Sequence, residues 1–334
     1  MRRRTGYGRT VELKPSLRHQ AWAALLRMMS TKRFKADTDI AAMRQFYEKI
    51  DAWQYRTDPD IRRTPVDCGG VPAEWVTVPE SLPERTILYL HGGSFAFRFP
   101  NLHARLAARM CRKLHARALI PDYRLAPEHP FPAAPDDCHA AYRWLLAAQR
   151  DPKGIVIAGD SAGGNLALVT LHRARVAGEP MPACAVLLSP AVDCTLQSPS
   201  MFDNQPLDPM IQLDNLIVLR AHYVPSPELY THPEVSPLFA DFDGFPPLFF
   251  QAGSNELLRD EATRAAEKAY AAGVDVELEL WPRAVHVFQA AGFLPEARHA
   301  VNHIARFVRM RARWGAPPRA GSGVRGEFLP GIRL

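Results

Sequence analysis

Six short apolar runs alternate with helix-length segments through most of this 334-residue chain. They read RTILYL (85–90), ALIPDY (118–123), GIVIAG (154–159), ACAVLLS (183–189), PPLFFQAG (246–253) and VELELW (276–281). Ala-rich helical stretches lie between them, at 101–115, 132–150, 162–178, 257–272 and 294–314. Strands alternating with helices of this length predict βαβ units, hence an α/β fold with a mostly parallel sheet and helices on both faces. Gly178 and Gly273 stand where helix C-caps should fall.

Two regions break the alternation. Residues 1–65 are basic and helical in pattern. Residues 195–236 form a long insertion with a helix expected near 209–223, and insertions of that length are commonly lids or binding segments. The expected organisation is an N-terminal helical cap segment (1–65), an α/β domain (66–314) carrying the cap insertion, and a basic tail (315–334). Both cap regions are expected to pack over the C-terminal edge of the sheet, with bulky Trp22, Phe46, Phe202 and Leu216 narrowing the space beneath.

Composition closes off other classes. The apolar runs fall far short of the roughly 20 residues that span a bilayer. The N-terminal apolar stretch is broken by Arg27 and lacks a clean cleavage site, so it does not read as a signal peptide. Five scattered cysteines without C-x-x-C suggest neither a disulfide framework nor a zinc site, and a reducing cytoplasm is the simplest compartment. The net charge of +6 belongs to the ends. Residues 1–35 set ten Lys/Arg against Glu12, and residues 306–334 set seven Arg against Glu327, so the middle is acidic. Such runs are ordinarily solvated. The sharper reading is a basic amphipathic helix over Lys14–Phe34 in weak contact with a membrane surface. Nothing beyond charge points to nucleic acid, and the sequence carries no signal for an oligomeric state.

The stretch GIVIAGDSAGGN (154–165) places Ser161 between a strand and a helix, with Gly159 two residues before it and Gly163 two after. A turn this sharp strains its central residue and excludes bulk beside it. The hydroxyl is then presented at the sheet edge, at a helix N-terminus that favours developing negative charge. A nucleotide loop is excluded, because neither G-K-[ST] nor G-x-G-x-x-G is present here. Acyl transfer by a serine also needs an oxyanion hole, a base and an orienting acid. LYLHGGSFAF offers Gly92, Gly93 and Ser94 just after a strand, where backbone N–H groups can converge on the serine.

His91-Gly92-Gly93, PDYRLAPEHPFPAAPDD (121–137) and GDSAGG (159–164), in this order, resemble the hormone-sensitive-lipase-like family of α/β-hydrolases, which are esterases and lipases with an N-terminal cap. The resemblance covers about residues 65 to 310. It implies an oxyanion hole built from the N–H groups of Gly93, Ser94 and Ala162, with Gly92 shaping the turn. Ser94 departs from the family, which usually has glycine there. The resemblance also implies that His91 holds the loop and carries no proton. Asp122, Tyr123, Arg124 and Glu128 read as a hydrogen-bonded brace behind the hole.

The base is expected in the loop after the last strand, where His286 stands in a His-Val-Phe context similar to the family's H-G-F segment. His299 and His303, four apart on the terminal helix, read as surface residues with no nearby acidic ligand. The acid should follow PPLFFQAG, where Glu256, Asp260 and Glu261 are available. The family's D-x-L-x-D pattern, set on Leu258 and Asp260, puts the triad acid at Glu256 and leaves Asp260 to cap the next helix. The expectation is a serine carboxylic ester hydrolase using Ser161, His286 and Glu256 on short- to medium-chain esters, with no metal and no cofactor. Two alternatives are an amide or N-acetyl hydrolase with the same triad, and a non-catalytic small-molecule receptor on the same fold.

Overall fold

In a computed structural model, which describes residues 7–29, 34–35, 37–54, 58–149 and 151–315, the chain forms a nine-stranded sheet. Residues 316–334, nearly all of the expected basic tail, lie outside the described residues. In chain order the strands are β1 (Gly8–Thr10), β2 (Arg62–Asp67), β3 (Pro72–Thr77), β4 (Thr86–Leu90), β5 (Arg117–Pro121), β6 (Ile155–Asp160), β7 (Cys184–Leu188), β8 (Leu248–Gly253) and β9 (Val276–Trp281). Their spatial order is β1-β9-β8-β7-β6-β4-β5-β3-β2. Only β2–β3 and β3–β5 pair antiparallel among the described strands. The mostly parallel α/β arrangement expected from the alternation is the one found.

The helices are α1 (Leu17–Met29), α2 (Ile40–Gln54), α3 (Pro100–Leu114), α4 (Ala133–Ala148), α5 (Ala162–Val176), α6 (Ser200–Asp203), α7 (Leu213–Tyr223), α8 (Arg259–Ala271) and α9 (Pro295–Arg311). Alternate strand residues feed two cores. Leu88, Leu90, Ile155 and Ile157 pack with α4, α5 and α8, whereas Ile87, Tyr89, Val156 and Ala158 pack with α3 and α9. The central strands are therefore buried on both faces, which explains their continuous apolar runs. Each leucine, isoleucine or valine among them contributes about 1.5–3 kcal/mol when taken out of water.

The N-terminal boundary differs from expectation. β1 pairs with β9 at one edge of the sheet, and β2, at the other edge, runs through residue 65. Neither strand was legible. β1 is three exposed residues, and β2 (RRTPVD) carries three charges and a proline. Pro65 is tolerated because an edge strand leaves one side of its backbone unpaired.

The two cap regions meet, and both are anchored to the sheet domain. Arg27 on α1 donates to Leu207 O at 3.0 Å, and Phe34 N–H donates to Asn215 Oδ1 at 2.7 Å. Asp51 on α2 accepts the N–H groups of Asn101 and Leu102 at 2.8 and 3.0 Å, satisfying first-turn donors of α3. Of the bulky cap residues, Leu216 packs with Met201, Leu257 and Leu258, and Trp22 packs edge-on against Phe293. Phe46 and Phe202 turn outward and stay more than half exposed, so they do not narrow an internal space. No helix among the described residues is long and apolar enough to cross a membrane.

Candidate active site

β6 ends at Asp160, α5 begins at Ala162, and Ser161 between them has φ 53° and ψ −121°. A non-glycine residue holds such angles only when its surroundings fix it. Here Ser161 N–H donates to Leu188 O at 2.8 Å, and Ser161 O accepts from Gly164, Asn165 and Ala191 at 3.0–3.2 Å. The flanking glycines are required by close approach. A Cβ on Gly163 would lie 1.9 Å from Leu90 O, and one on Gly159 would lie 2.2 Å from Gly163 O.

The loop after β4 is pinned to this turn through Asp160. Its carboxylate accepts from Tyr89 Oη at 2.6 Å and from Gly92 N–H at 3.1 Å, with His103 Nε2 at 3.4 Å. Burial pushes the Asp160 carboxyl up, but His103 and Tyr89 outweigh it and hold it below its ordinary value. Gly92 N–H is thus consumed in shaping the turn. The N–H groups of Gly93, Ser94 and Ala162 donate to no acceptor among the described residues. Ser94 and Phe95 both sit at positive φ (54° and 60°), so Ser94 occupies a conformation that glycine adopts more easily. His91 is buried, stacks on Tyr123 and bonds Gly92 O at 2.8 Å. Burial, then the neighbouring His103, bring its pKa down to about 3, so it is neutral and suited to holding the loop.

The brace behind the loop is divided among several partners. Tyr123 Oη donates to His91 O at 2.7 Å, and Arg124 pairs with Asp137 at 2.7 Å. Asp122 pairs with Arg98. Glu128 reaches the cap, where it receives two bonds from Arg44 on α2 at 2.9 and 2.8 Å. Arg44 also donates to Ala96 O and Ala126 O, which fastens the cap to the loop carrying Gly93 and Ser94.

Glu256 and His286 come from the loops after β8 and β9, one and two strands beyond β7. Glu256 is fully buried, and its Oε2 lies 2.9 Å from His286 Nδ1. Its Oε1 accepts from Ser189 Oγ at 2.8 Å and from Gly253 N–H. Since a carboxylate only accepts, the proton lies on Nδ1 and leaves the Nε2 lone pair of the neutral ring free. Burial lowers the His286 pKa, but the Glu256 bond and charge, with the charges of Asp208 and Asp160, raise it above its ordinary value. Ser161 shares the carboxyl edge of the sheet with this pair, and no hydrogen bond joins its hydroxyl to His286 among the described residues. Catalytic bonds of free enzymes commonly close only with substrate in place.

Two expectations need correction. Asp260 does not cap α8, whose N-cap is Leu258 without a side-chain bond. Its carboxylate instead accepts Ser200 N–H at 2.9 Å and pairs with Arg259 at 2.7 Å, tying the cap insertion to α8. His303 does have an acid nearby, since its Nδ1 lies 2.9 Å from Glu279 Oε1, while His299 is exposed as expected. No group of three metal-ligating side chains exists among the described residues. Sequence reasoning missed Asp160, Ser189 and Asp208. Asp160 is the variable position of G-x-S-x-G and Ser189 the first residue after β7, so both had a positional signal. Asp208 in the insertion had none.

A family model described as alpha/beta hydrolase fold matches residues 87–290. An acetyl-hydrolase of Streptomyces hygroscopicus is 38% identical over 245 residues, covering 73% of this chain and 81% of that protein. An esterase of Acinetobacter venetianus is 37% identical over 252 residues, covering 75% and 83%. The crystal structure of an esterase from the bacterial hormone-sensitive lipase family superposes with a TM-score of 0.84 at 36% identity, covering 90% of this chain and all of that one. The resemblance read from the three motifs is borne out, by a family model over residues 87–290 and by a structure that covers 90% of the chain. With more than half of the chain matched, this protein is a hydrolase enzyme that belongs to the alpha/beta hydrolase fold family.

Proposed function

We propose that the chain is a serine carboxylic ester hydrolase that works through an acyl-enzyme at Ser161. The carrying observation is the buried Glu256–His286 pair at 2.9 Å on the sheet edge that also bears the strained Ser161. His286 Nε2 takes the Ser161 proton as Oγ attacks the ester carbonyl. The N–H groups of Gly93, Ser94 and Ala162 receive the oxyanion as the tetrahedral intermediate forms. His286 returns the proton to the leaving alcohol, and the acyl group stays on Oγ. Water, deprotonated by the same imidazole, then releases the acid. Glu256 keeps the ring in one tautomer and stabilises the imidazolium. An intact acid–base pair argues against a non-catalytic receptor on this fold.

The preferred substrates in this reading carry short to medium acyl chains. Support comes from Met201, Ile211, Leu213 and Leu216, which fill the space against Leu257 and Leu258 beside the Glu256 loop. A weak contact with an anionic membrane surface belongs to the same reading. It is supported by exposed Leu25 and Met28 on α1, within the basic N-terminal segment. A cytoplasmic location is supported by five cysteines without a disulfide. The test is a panel of p-nitrophenyl esters from acetate to palmitate with one arylamide beside them. Rates should peak between about C2 and C8. Faster turnover of the arylamide or of emulsified long-chain ester would overturn the substrate assignment.

A further inference from the structure

The loop that carries Glu256 is stitched to the cap insertion by buried side chains. Asn204 Nδ2 donates to Ser254 O at 3.1 Å and to Glu256 O at 2.8 Å. Asp208 Oδ2 accepts Leu257 N–H at 2.9 Å, while its Oδ1 accepts from Met210 and Ile211 at 2.8 and 3.0 Å. The two residues also hold each other, through Asp208 N–H to Asn204 O at 2.8 Å. Both are buried. A glutamate has one more rotatable bond than an aspartate, so its carboxylate needs more constraint to stay in one place. The insertion supplies that constraint on both sides of the Glu256 peptide.

We propose that Asn204 and Asp208 are positioning residues for the Glu256–His286 pair, with Asn204 holding the carbonyls of Ser254 and Glu256 and Asp208 holding Leu257 N–H, so that the insertion sets the register of the acid's loop. The proposal rests on the triad reading given above. The charged groups acting on His286 are Glu256 after β8, Asp160 at the end of β6 and Asp208 from the insertion. Asp208 in turn shares a pocket with Arg27 of α1 and Asp214 of α7. Burial raises the Asp208 carboxyl, against its three N–H bonds and the nearby imidazole. In this arrangement the insertion and the acid's loop are joined by three side-chain hydrogen bonds from Asn204 and Asp208.

The test is an NMR titration of the histidine rings in the full chain, with His286 assigned through His286→Asn. Asp208→Asn should lower the His286 pKa, and Asp208→Glu, which keeps the charge, should bring it back toward the wild-type value. Asn204→Ala should shift or abolish the downfield proton of the Nδ1–H bond to Glu256. In the ester assay, both Asp208→Asn and Asn204→Ala should lose about 10- to 100-fold in kcat with KM little changed, the scale of a small misplacement. If Asp208→Asn does not fold, Asn204→Ala decides by the same two readouts. Folded variants whose His286 titration and downfield proton match the wild type would overturn the proposal. Absence of any esterase activity in the wild type would instead overturn the catalytic reading, and the titration would still decide the positioning role.

Discussion

Glu256 Oε2 lies 2.9 Å from His286 Nδ1, and Ser189 Oγ fixes the other carboxylate oxygen at 2.8 Å. The Glu256 carboxylate is therefore held from two sides. Glu256→Gln should fold normally, yet lose on the order of 10⁴ in kcat, because an amide can present its NH₂ and favour the wrong tautomer. Steady-state kinetics on p-nitrophenyl acetate, with circular dichroism as the check on folding, measure this.

The raised pKa of His286 fixes the direction of the pH profile. Burial disfavours the charged ring, and Glu256, Asp208 and Asp160 more than offset that. The base must be neutral to accept a proton, so kcat/KM should rise with pH and its acid limb should lie above about 6.5, the ordinary histidine value. A folded-state pKa raised above the unfolded one contributes stability that is fully present below the unfolded pKa. That stability is lost as pH rises through the folded pKa. The Tm difference between wild type and His286→Gln should accordingly be largest on the acid side and shrink as pH rises. A kcat/KM limb displaced below the ordinary value would contradict this.

Asp260 separates two readings of the same loop. It bonds Ser200 N–H and pairs with Arg259, and none of its hydrogen bonds goes to His286. Asp260→Asn should cost about 1 kcal/mol of stability and keep most of kcat. Thermal melts and kinetics on Asp260→Asn and Glu256→Gln together are decisive. A dead Asp260→Asn beside an active Glu256→Gln would move the acid's role to Asp260.

Much of this site was legible because its chemistry sits at strand ends. Ser161 and Glu256 follow continuous apolar runs and His286 follows the alternating run VELELW, and strand patterns of these kinds are conspicuous. The residues that hold them were hidden for a physical reason. Asp160, Ser189 and Asp208 act through contacts between segments about 50 to 100 residues apart; position beside the serine and at a strand end marks the first two, but no local pattern names their partners, and nothing marks Asp208. Edge strands were hidden too. β2 buries little, so it shows no apolar alternation, and β1 pairs only at the far rim of the sheet. His303 misled because its partner Glu279, charged yet buried on β9, lies 24 residues away and meets α9 only in the folded chain.

Arg44 tests whether the N-terminal cap supports the chemistry. It donates to Ala96 O at 2.9 Å, to Ala126 O at 2.8 Å and twice to Glu128. Arg44→Met keeps the length of the side chain and removes every one of these bonds. It should cost about 1–3 kcal/mol and lower kcat more than it raises KM, since Ala96 closes the turn that begins at Gly93. Chemical denaturation and Michaelis–Menten analysis would show it, and an unchanged kcat would detach the cap from the oxyanion loop.

The proposed chemistry depends on a covalent acyl-enzyme at Ser161, and active-site labelling reports that residue without intermediaries. The full chain is treated with a fluorophosphonate, digested, and mapped by mass spectrometry while residual esterase activity is followed. One adduct per chain is expected, on the peptide containing Ser161, with activity lost in step. Ser161→Ala should take no label, stay folded and fall on the order of 10⁶ in kcat. Complete inhibition with the adduct on another residue, or a Ser161→Ala protein retaining more than about a hundredth of the wild-type rate, would contradict the account.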